Sequence, residues 1–389
     1  MPLPLEGIRV LDLGISTAGP YAARFLADLG ADVVKVEPLA GENARSLGLR
    51  YGDAGYLFHV NNYNKRSLVL KVQDPRGRQA FLDLVAQSDV VIENFAVGTM
   101  DGWGIGFEAC RAANPSIVYC SAKGFGESGV LRNKRAFDTV VQGLAGLMDT
   151  TGSGADPLKG GPSVCDLLTA AASVMATVSA ITDRGPGESV FVDTALFDMG
   201  AWSLAWLWPV IESGNVAAAS RLGNRHPHAA PFGSFACSDG ELFIAVEDQP
   251  AWAALAAVIG ADAGWTEPTR KAHEGEIDDR LAAWLGPLPK WDASARLQAI
   301  GVAATPVLLL EELSAHPLMT ARTLVTEVDH PQFGKVPLLR SPLAVAGHHR
   351  PPIRKLQPPL GHDTAEVVGG LPGGAHRLAT LRDAGVVAP

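Results

Sequence analysis

Asp166 is the only charged side chain between Lys159 and Asp183, and it stands directly before the helix-length apolar run Leu167 to Ile181. A carboxylate that has lost part of its water is a stronger nucleophile, so this position suits a covalent catalyst. Aspartate is also a favoured helix N-cap, and Asp166 before Leu167 would serve that purpose with no chemistry at all. The surrounding chain has to decide between the two readings.

The elements that would position it follow from hydrophobic patterning. Ile8 to Leu13 is a short β-rich run, Gly19-Pro20 opens a helical pattern that Gly30 stops, and Asp32 to Glu37 is a second strand. Strands at Ser67–Leu70, Val90–Ile92 and Ile117–Tyr119 alternate with helical patterns at Pro75–Gln87 and Phe107–Ala113. This predicts an α/β fold in which the first half is a Rossmann-like, doubly wound sheet. A strand at Ser189–Thr194 and a Trp-rich helix over Asp198–Ile211 are expected after the Asp166 helix. Gly233–Val246 alternates like a hairpin with its turn at Ser238-Asp239-Gly240, and from His316 onward the chain turns Pro- and Gly-rich. The expected division is a large domain over 1–215 with 330–389 and a smaller α+β domain over 225–325, joined by linkers at 216–224 and 326–329.

A dinucleotide site is the first candidate for such a sheet, with Glu37 placed to hold a ribose hydroxyl. The spacing argues against it: Gly14 and Gly19 are five apart, and no GxGxxG lies between strand and helix. The loop Gly14 to Pro20 still brings backbone N–H groups and a helix start to a strand's carboxyl end, which suits an anionic ligand.

Composition narrows the classes further. The 389 residues are 47% hydrophobic and 19% charged, enough for a large core, and the net charge of −9 argues against a nucleic-acid footprint. Cys110, Cys120, Cys165 and Cys237 show no CxxC or metal spacing and read as buried, reduced thiols. The apolar windows Leu167–Ile181 and Ala201–Ile211 read as too short or Pro-interrupted to span a bilayer, and no signal-like start precedes them, so a cytoplasmic protein without membrane association is expected.

Val10-Leu11-Asp12-Leu13 with Ala18-Gly19-Pro20, Leu29 to Pro38, Gly41-Glu42-Asn43-Ala44-Arg45 and Asn64-Lys65-Arg66-Ser67 follow one another along the first part of the chain. Glu93-Asn94-Phe95, Asn114-Pro115, Gly160-Gly161-Pro162 ahead of Asp166, Asp193, and Leu360 to Thr364 come after them. In their order and wording these segments resemble the family III CoA-transferases, which include formyl-CoA transferase and, as close relatives, the α-methylacyl-CoA racemases. The resemblance implies two chains interlaced like linked rings. It further implies that Asp166 attacks an acyl-CoA to form a mixed anhydride, then an aspartyl-CoA thioester from which a small carboxylic acid takes CoA. Because an anhydride hydrolyses readily, such a site should be buried between domains and covered during turnover. No permanently bound cofactor and no metal is implied; the CoA thioester is a substrate.

By the same resemblance Ser16, Thr17 and Ala18 are expected near the thioester, Leu70, Asn94 and Phe95 along the pantetheine and adenine, and Lys123 and Arg135 near the phosphates. Arg45 and Arg66 are weaker candidates. The racemases use a His in a Gly-His-Asp segment as one of two bases; here the segment reads Arg135-Ala136-Phe137-Asp138. Phenylalanine carries no proton, which favours transfer over racemisation of a 2-methylacyl-CoA. Asp138 matches an acidic position of formyl-CoA transferase and is assigned a supporting catalytic role, with a helix N-cap before Thr139 as the alternative. The glycine-run lid of that enzyme is replaced by His226-Pro227-His228, Thr17 stands where it has Gln, and Pro38 stands where it has a basic residue, which disfavours oxalate and formyl-CoA. His226 and His228 read as a connector that could touch a carboxylate, and His59 as a residue that could face the acyl pocket.

Overall fold

The computed structural model describes residues 3–51, 54–216, 219–330, 334–344 and 350–387. The chain forms two compact units, one of residues 1–146, 160–203 and 318–389, the other of 147–159 and 204–317. These boundaries differ from the expected linkers. The first half already ends at Ser203, and the excursion 147–159 joins the smaller unit because Arg221 pairs with Asp149, the Ser220 hydroxyl donates to Asp149 at 2.7 Å, and Ser153 bridges to Leu222. Positions 217 and 218 of the expected linker lie outside the described residues.

A six-stranded parallel sheet organises the larger unit. Its strands are β1 (Arg9–Asp12), β2 (Asp32–Glu37), β3 (Lys65–Val69), β4 (Val90–Glu93), β5 (Val118–Lys123) and β6 (Val190–Ala195), in the spatial order β3-β2-β1-β4-β5-β6. Both faces are covered, as an all-parallel sheet requires. Alternate residues divide between two cores: Leu11, Val34, Leu68 and Val91 pack with the helix Pro75–Val85 and with Val368 and Leu381, whereas Val10, Val33, Val90 and Ile92 pack with Ala22, Leu26, Ala170 and Ala180. Strand order reverses beside β1, so the loops leaving β1 and β4 diverge and open a crevice at the carboxyl edge of the sheet.

The helix behind Asp166 runs over Val164–Asp183 and is 20 residues long, longer than the window read from sequence. By length and hydropathy alone it is long enough to cross a membrane. In this structure it lies along β5, β6 and the helix Ala18–Asp28, with Thr169, Ala170, Ser173, Thr177 and Ala180 buried. The Trp-rich helix expected over Asp198–Ile211 is broken into Leu196–Trp202, a 3₁₀ turn Ala205–Leu207 and a short helix Trp208–Glu212. Pro209 falls at the second position of that last piece, where its missing N–H costs nothing and where a continuous helix would have lost a bond.

The smaller unit holds a three-stranded antiparallel sheet of Phe232–Cys237, Gly240–Ala245 and Ala303–Pro306, the first two joined by the expected Ser238-Asp239 turn. Four helices, Gln249–Ile259, Glu267–Ala272, Glu274–Leu285 and Lys290–Ala299, close over Leu242, Ile244, Trp252 and Leu281. The hairpin Val325–His330 with Gly334–Leu339 belongs to the larger unit.

Candidate active site

Asp166 is the third residue of its helix rather than the N-cap; Ser163 holds the cap position and makes no side-chain cap bond. The capping is done from outside. Asp138 is buried, and its Oδ1 accepts the backbone N–H groups of Cys165 at 2.8 Å and Asp166 at 3.1 Å. It does not cap its own helix Asp138–Leu144, whose N-cap is Phe137. An anion at a helix start satisfies orphan N–H groups and meets the positive end of the helix dipole. Asp138 therefore has a structural duty, though not the one its sequence position suggests.

The Asp166 carboxyl itself is half-buried, and among the described residues no donor hydrogen-bonds it. Burial, and then the charge of Asp138, push its pKa up to about 7. A carboxylate left without donors keeps its lone pairs for an incoming electrophile. The neighbouring Cys165 thiol is pushed up to about 12, by burial first and by the two aspartates after it, so it stays neutral and does not compete as a nucleophile.

The loop after β1 is fixed at every residue. The Asn94 side chain accepts the Ile15 N–H at 2.7 Å and donates to the Ile15 carbonyl at 2.9 Å. Ser16 sits in the left-handed region at φ +60°, its N–H donating to Glu42 at 2.9 Å and its carbonyl accepting from Asn61 at 2.9 Å. Gly14 donates to Asp12 at 2.8 Å and accepts from Lys35; a Cβ there would lie 2.7 Å from Pro20. Thr17 and Ala18 then open the first helix.

Buried charges lie beneath this loop. Lys65 donates to Asp12 at 2.7 Å, the Pro20 carbonyl at 2.7 Å and Asn62 at 2.8 Å, while Lys35 lies 3.2 Å from Glu42. Burial pulls the Lys65 ammonium down to about 8, whereas burial of Asp12 is outweighed by Lys35 and Lys65, which hold its carboxyl below the usual range. Glu37 ends β2 as the sequence predicts, but its oxygens take both Arg45 N–H groups at 2.7 Å and the Ser67 hydroxyl at 3.3 Å. It is committed internally and free for no ribose.

Between the loops after β1, β2 and β4 lies a cavity of about 280 Å³. Leu13, Val36, Leu70 and Val72 form its apolar wall, and Phe95 meets Trp103 edge-to-face at 4.9 Å on its rim. Leu70 and Phe95 thus line one cavity, while the Asn94 side chain bonds the Ile15 backbone of the loop. Trp103 went unmarked in the sequence, its only signal being an aromatic near the carboxyl end of β4.

Other expected residues are placed elsewhere. Lys123 is buried, and its ammonium is spent on Glu93 at 2.6 and 2.8 Å and on the Phe95 carbonyl at 2.7 Å, so it is no open phosphate ligand. The lysine faces inward because it ends a strand beside the acid that ends the next one. Arg135 is exposed on the loop before Asp138. Arg45 and Arg66 are paired with Glu37 and Asp32. His59 packs edge-to-face on His330 at 5.6 Å, and the His226 ring accepts the N–H groups of His228 and Ala229 at 3.1 and 2.9 Å as a local turn. Among the described residues no group of His, Cys, Asp and Glu is arranged to hold a metal ion.

Comparison with known proteins bears on this arrangement. The profile of CoA-transferase family III matches residues 5–364. The chain is 33% identical over 388 residues to the succinate–glutarate CoA-transferase of Agrobacterium fabrum, covering 95% of this chain and 96% of that one. It is 35% identical over 348 residues to the succinyl-CoA:mesaconate CoA-transferase of Haloarcula marismortui, covering 84% and 86%. A CaiB/BaiF family protein of Brucella suis superimposes with a TM-score of 0.81 at 32% identity, covering 94% of this chain and 99% of that one.

Proposed function

The chain belongs to CoA-transferase family III, and on that premise we propose that Asp166 is the nucleophile through which it moves CoA from an acyl-CoA to a small organic acid. The observation that carries this reading is the Asp166 carboxyl itself: half-buried, without a donor among the described residues, and seated on the first turn of a long helix whose Cys165 and Asp166 N–H groups Asp138 already occupies.

An Asp166 oxygen attacks the thioester carbonyl, the C–S bond breaks, and CoA thiolate leaves behind a mixed anhydride. The thiolate then attacks the Asp166 acyl carbon and expels the donor's carboxylate, which leaves an aspartyl-CoA thioester. The acceptor carboxylate attacks that thioester, and the freed thiolate attacks the acceptor's acyl carbon. Asp166 is regenerated with no net proton consumed. A racemase would need a second base at Phe137, an exposed hydrocarbon ring, so proton transfer is not the favoured chemistry.

The acids in the names of the two relatives above are succinate, glutarate and mesaconate, and other relatives are named for oxalate, which supports a short dicarboxylic acid as acceptor. The apolar cavity beside Leu70, Phe95 and Trp103 suits the adenine end of CoA, with Arg135 left exposed for a phosphate. The exposed apolar side chains Phe137, Val140, Leu144 and Met175, on the helices that carry both aspartates, support an interlaced homodimer that covers them.

The test is a mass-spectrometric exchange assay with succinyl-CoA as donor and glutarate, mesaconate and oxalate as acceptors. CoA should pass to at least one dicarboxylate, with no solvent deuterium entering the α-carbon. Deuterium uptake without exchange would contradict the reading.

A further inference from the structure

Gln142 lies one helical turn beyond Asp138 and is 1% exposed. Its carboxamide joins three groups around the aspartate pair: Oε1 accepts the Gly160 N–H at 2.9 Å, and Nε2 donates to Asp138 Oδ2 at 2.5 Å and to the Pro162 carbonyl at 3.3 Å. A backbone N–H only donates, so Oε1 must face Gly160 and the amide cannot be flipped. The NH₂ group therefore points at Asp138. Asp138 Oδ1 already accepts two backbone N–H groups, so with the Gln142 amide on Oδ2 three donors converge on one carboxylate.

We propose that Gln142 is a positioning residue for the transfer reaction: it locks Asp138 as a fixed carboxylate, ties the Gly160-Gly161-Pro162 segment beside it, and through both sets the placement and charge state of Asp166. The proposal rests on the reading of Asp166 as nucleophile. Gln142 touches neither Asp166 nor, by that reading, the reacting atoms; it acts through Asp138. A buried amide serves this role better than a cation, which would cancel the Asp138 charge, or an acid, which would compete with Asp138 for a proton.

Other charged groups stand on the elements packed against the Asp166 helix: the Arg24–Asp28 pair on the first helix, Lys123 on β5, Asp193 on β6 and Asp198 on the helix that follows. Asp138 is the one whose charge acts on the Asp166 carboxyl. The pH at which Asp166 ionises therefore reports on Asp138, and a change made at Gln142 reaches it along that route.

The experiment follows hydroxylamine trapping at Asp166 from pH 5 to 9 with succinyl-CoA as probe, in the wild type, Gln142→Met and Gln142→Glu, alongside melting temperatures. In Gln142→Met, Asp138 Oδ2 loses its donor and the carboxylate is free to turn away from the Asp166 helix, so its charge acts less on Asp166 and the acid limb moves about one unit lower. The plateau rate falls roughly 10-fold while KM for succinyl-CoA changes by less than about 3-fold. In Gln142→Glu the introduced acid can still donate to Asp138 while it is protonated, so activity relative to wild type at the same pH is highest at low pH and falls as pH rises. A folded Gln142→Met variant with the wild-type profile overturns the proposal, as does a Gln142→Glu variant whose profile is merely scaled down. If the wild type itself gives no Asp166 adduct at any pH, the nucleophile reading fails and this proposal with it; a wild-type adduct with unshifted variants sinks the Gln142 role alone.

Discussion

Asp138 caps the helix that presents Asp166, its Oδ1 accepting the Asp166 N–H at 3.1 Å. One carboxylate is thus spent on the backbone of the other, which brings two like charges together at the starts of two helices and keeps a polar bond at the start of an apolar one. Burial first, and then this second charge, hold the Asp166 proton up to about pH 7. The same contact fixes the position of Asp166 through its own backbone, which the proposed role as nucleophile requires.

Asp166→Asn should abolish transfer, lowering turnover by at least about 10³-fold, and stabilise the fold at alkaline pH. The folded protein keeps the Asp166 proton to about pH 7, whereas an ordinary aspartate releases it at 3.8. Between those values the folded state binds more protons, so stability from this group falls as pH rises and is lowest above 7. Differential scanning calorimetry should find the variant more stable than wild type at pH 8 by about 1–2 kcal/mol, after allowance for solvent screening, with the difference gone by pH 4.

Asp138→Asn keeps an oxygen for the two backbone N–H groups and removes the charge. The acid limb of kcat/KM should move to lower pH while the fold is retained. Asp138→Ala removes the cap as well and should cost a further ~1–2 kcal/mol in denaturant titration.

Lys123→Met should act on stability. It leaves Glu93 buried beside Ser121 without its cation, a loss of about 3–5 kcal/mol. Discrimination between CoA and dephospho-CoA, measured by calorimetric binding, should be unchanged by Lys123→Met and reduced several-fold by Arg135→Ala.

Leu70→Trp should fill part of the cavity after β3. Steady-state kinetics should show KM for succinyl-CoA raised roughly 10–100-fold with kcat within about 3-fold, the pattern of lost binding rather than lost chemistry.

The sheet was legible because its strands are short, β-branched and separated by turn residues, and β1 and β2 appear within a residue of where the pattern puts them. Asp166 was legible because a single charge in a long apolar stretch is conspicuous. Its third position in the helix was not, since capping by Asp138 crosses 28 residues of sequence and no local signal encodes it. Lys123 and Asn94 carry the right chemistry for a ligand, but their partners Glu93 and Ile15 become neighbours only through strand pairing and loop closure. Gln142 escaped for the same reason: a glutamine in a helix reads as surface until the fold buries it against Gly160. The Trp-rich segment does not run as one helix because Pro209 has no N–H to donate to the carbonyl four residues back and its ring crowds that carbonyl.

The most direct test of Asp166 as nucleophile is peptide mapping after incubation with succinyl-CoA and rapid quenching. A CoA thioester should appear on the peptide that contains Asp166, should convert to a hydroxamate with hydroxylamine, and should be missing from Asp166→Ala. Exchange of CoA between succinyl-CoA and glutarate that proceeds with no adduct at Asp166, or that survives in Asp166→Ala, would contradict the account.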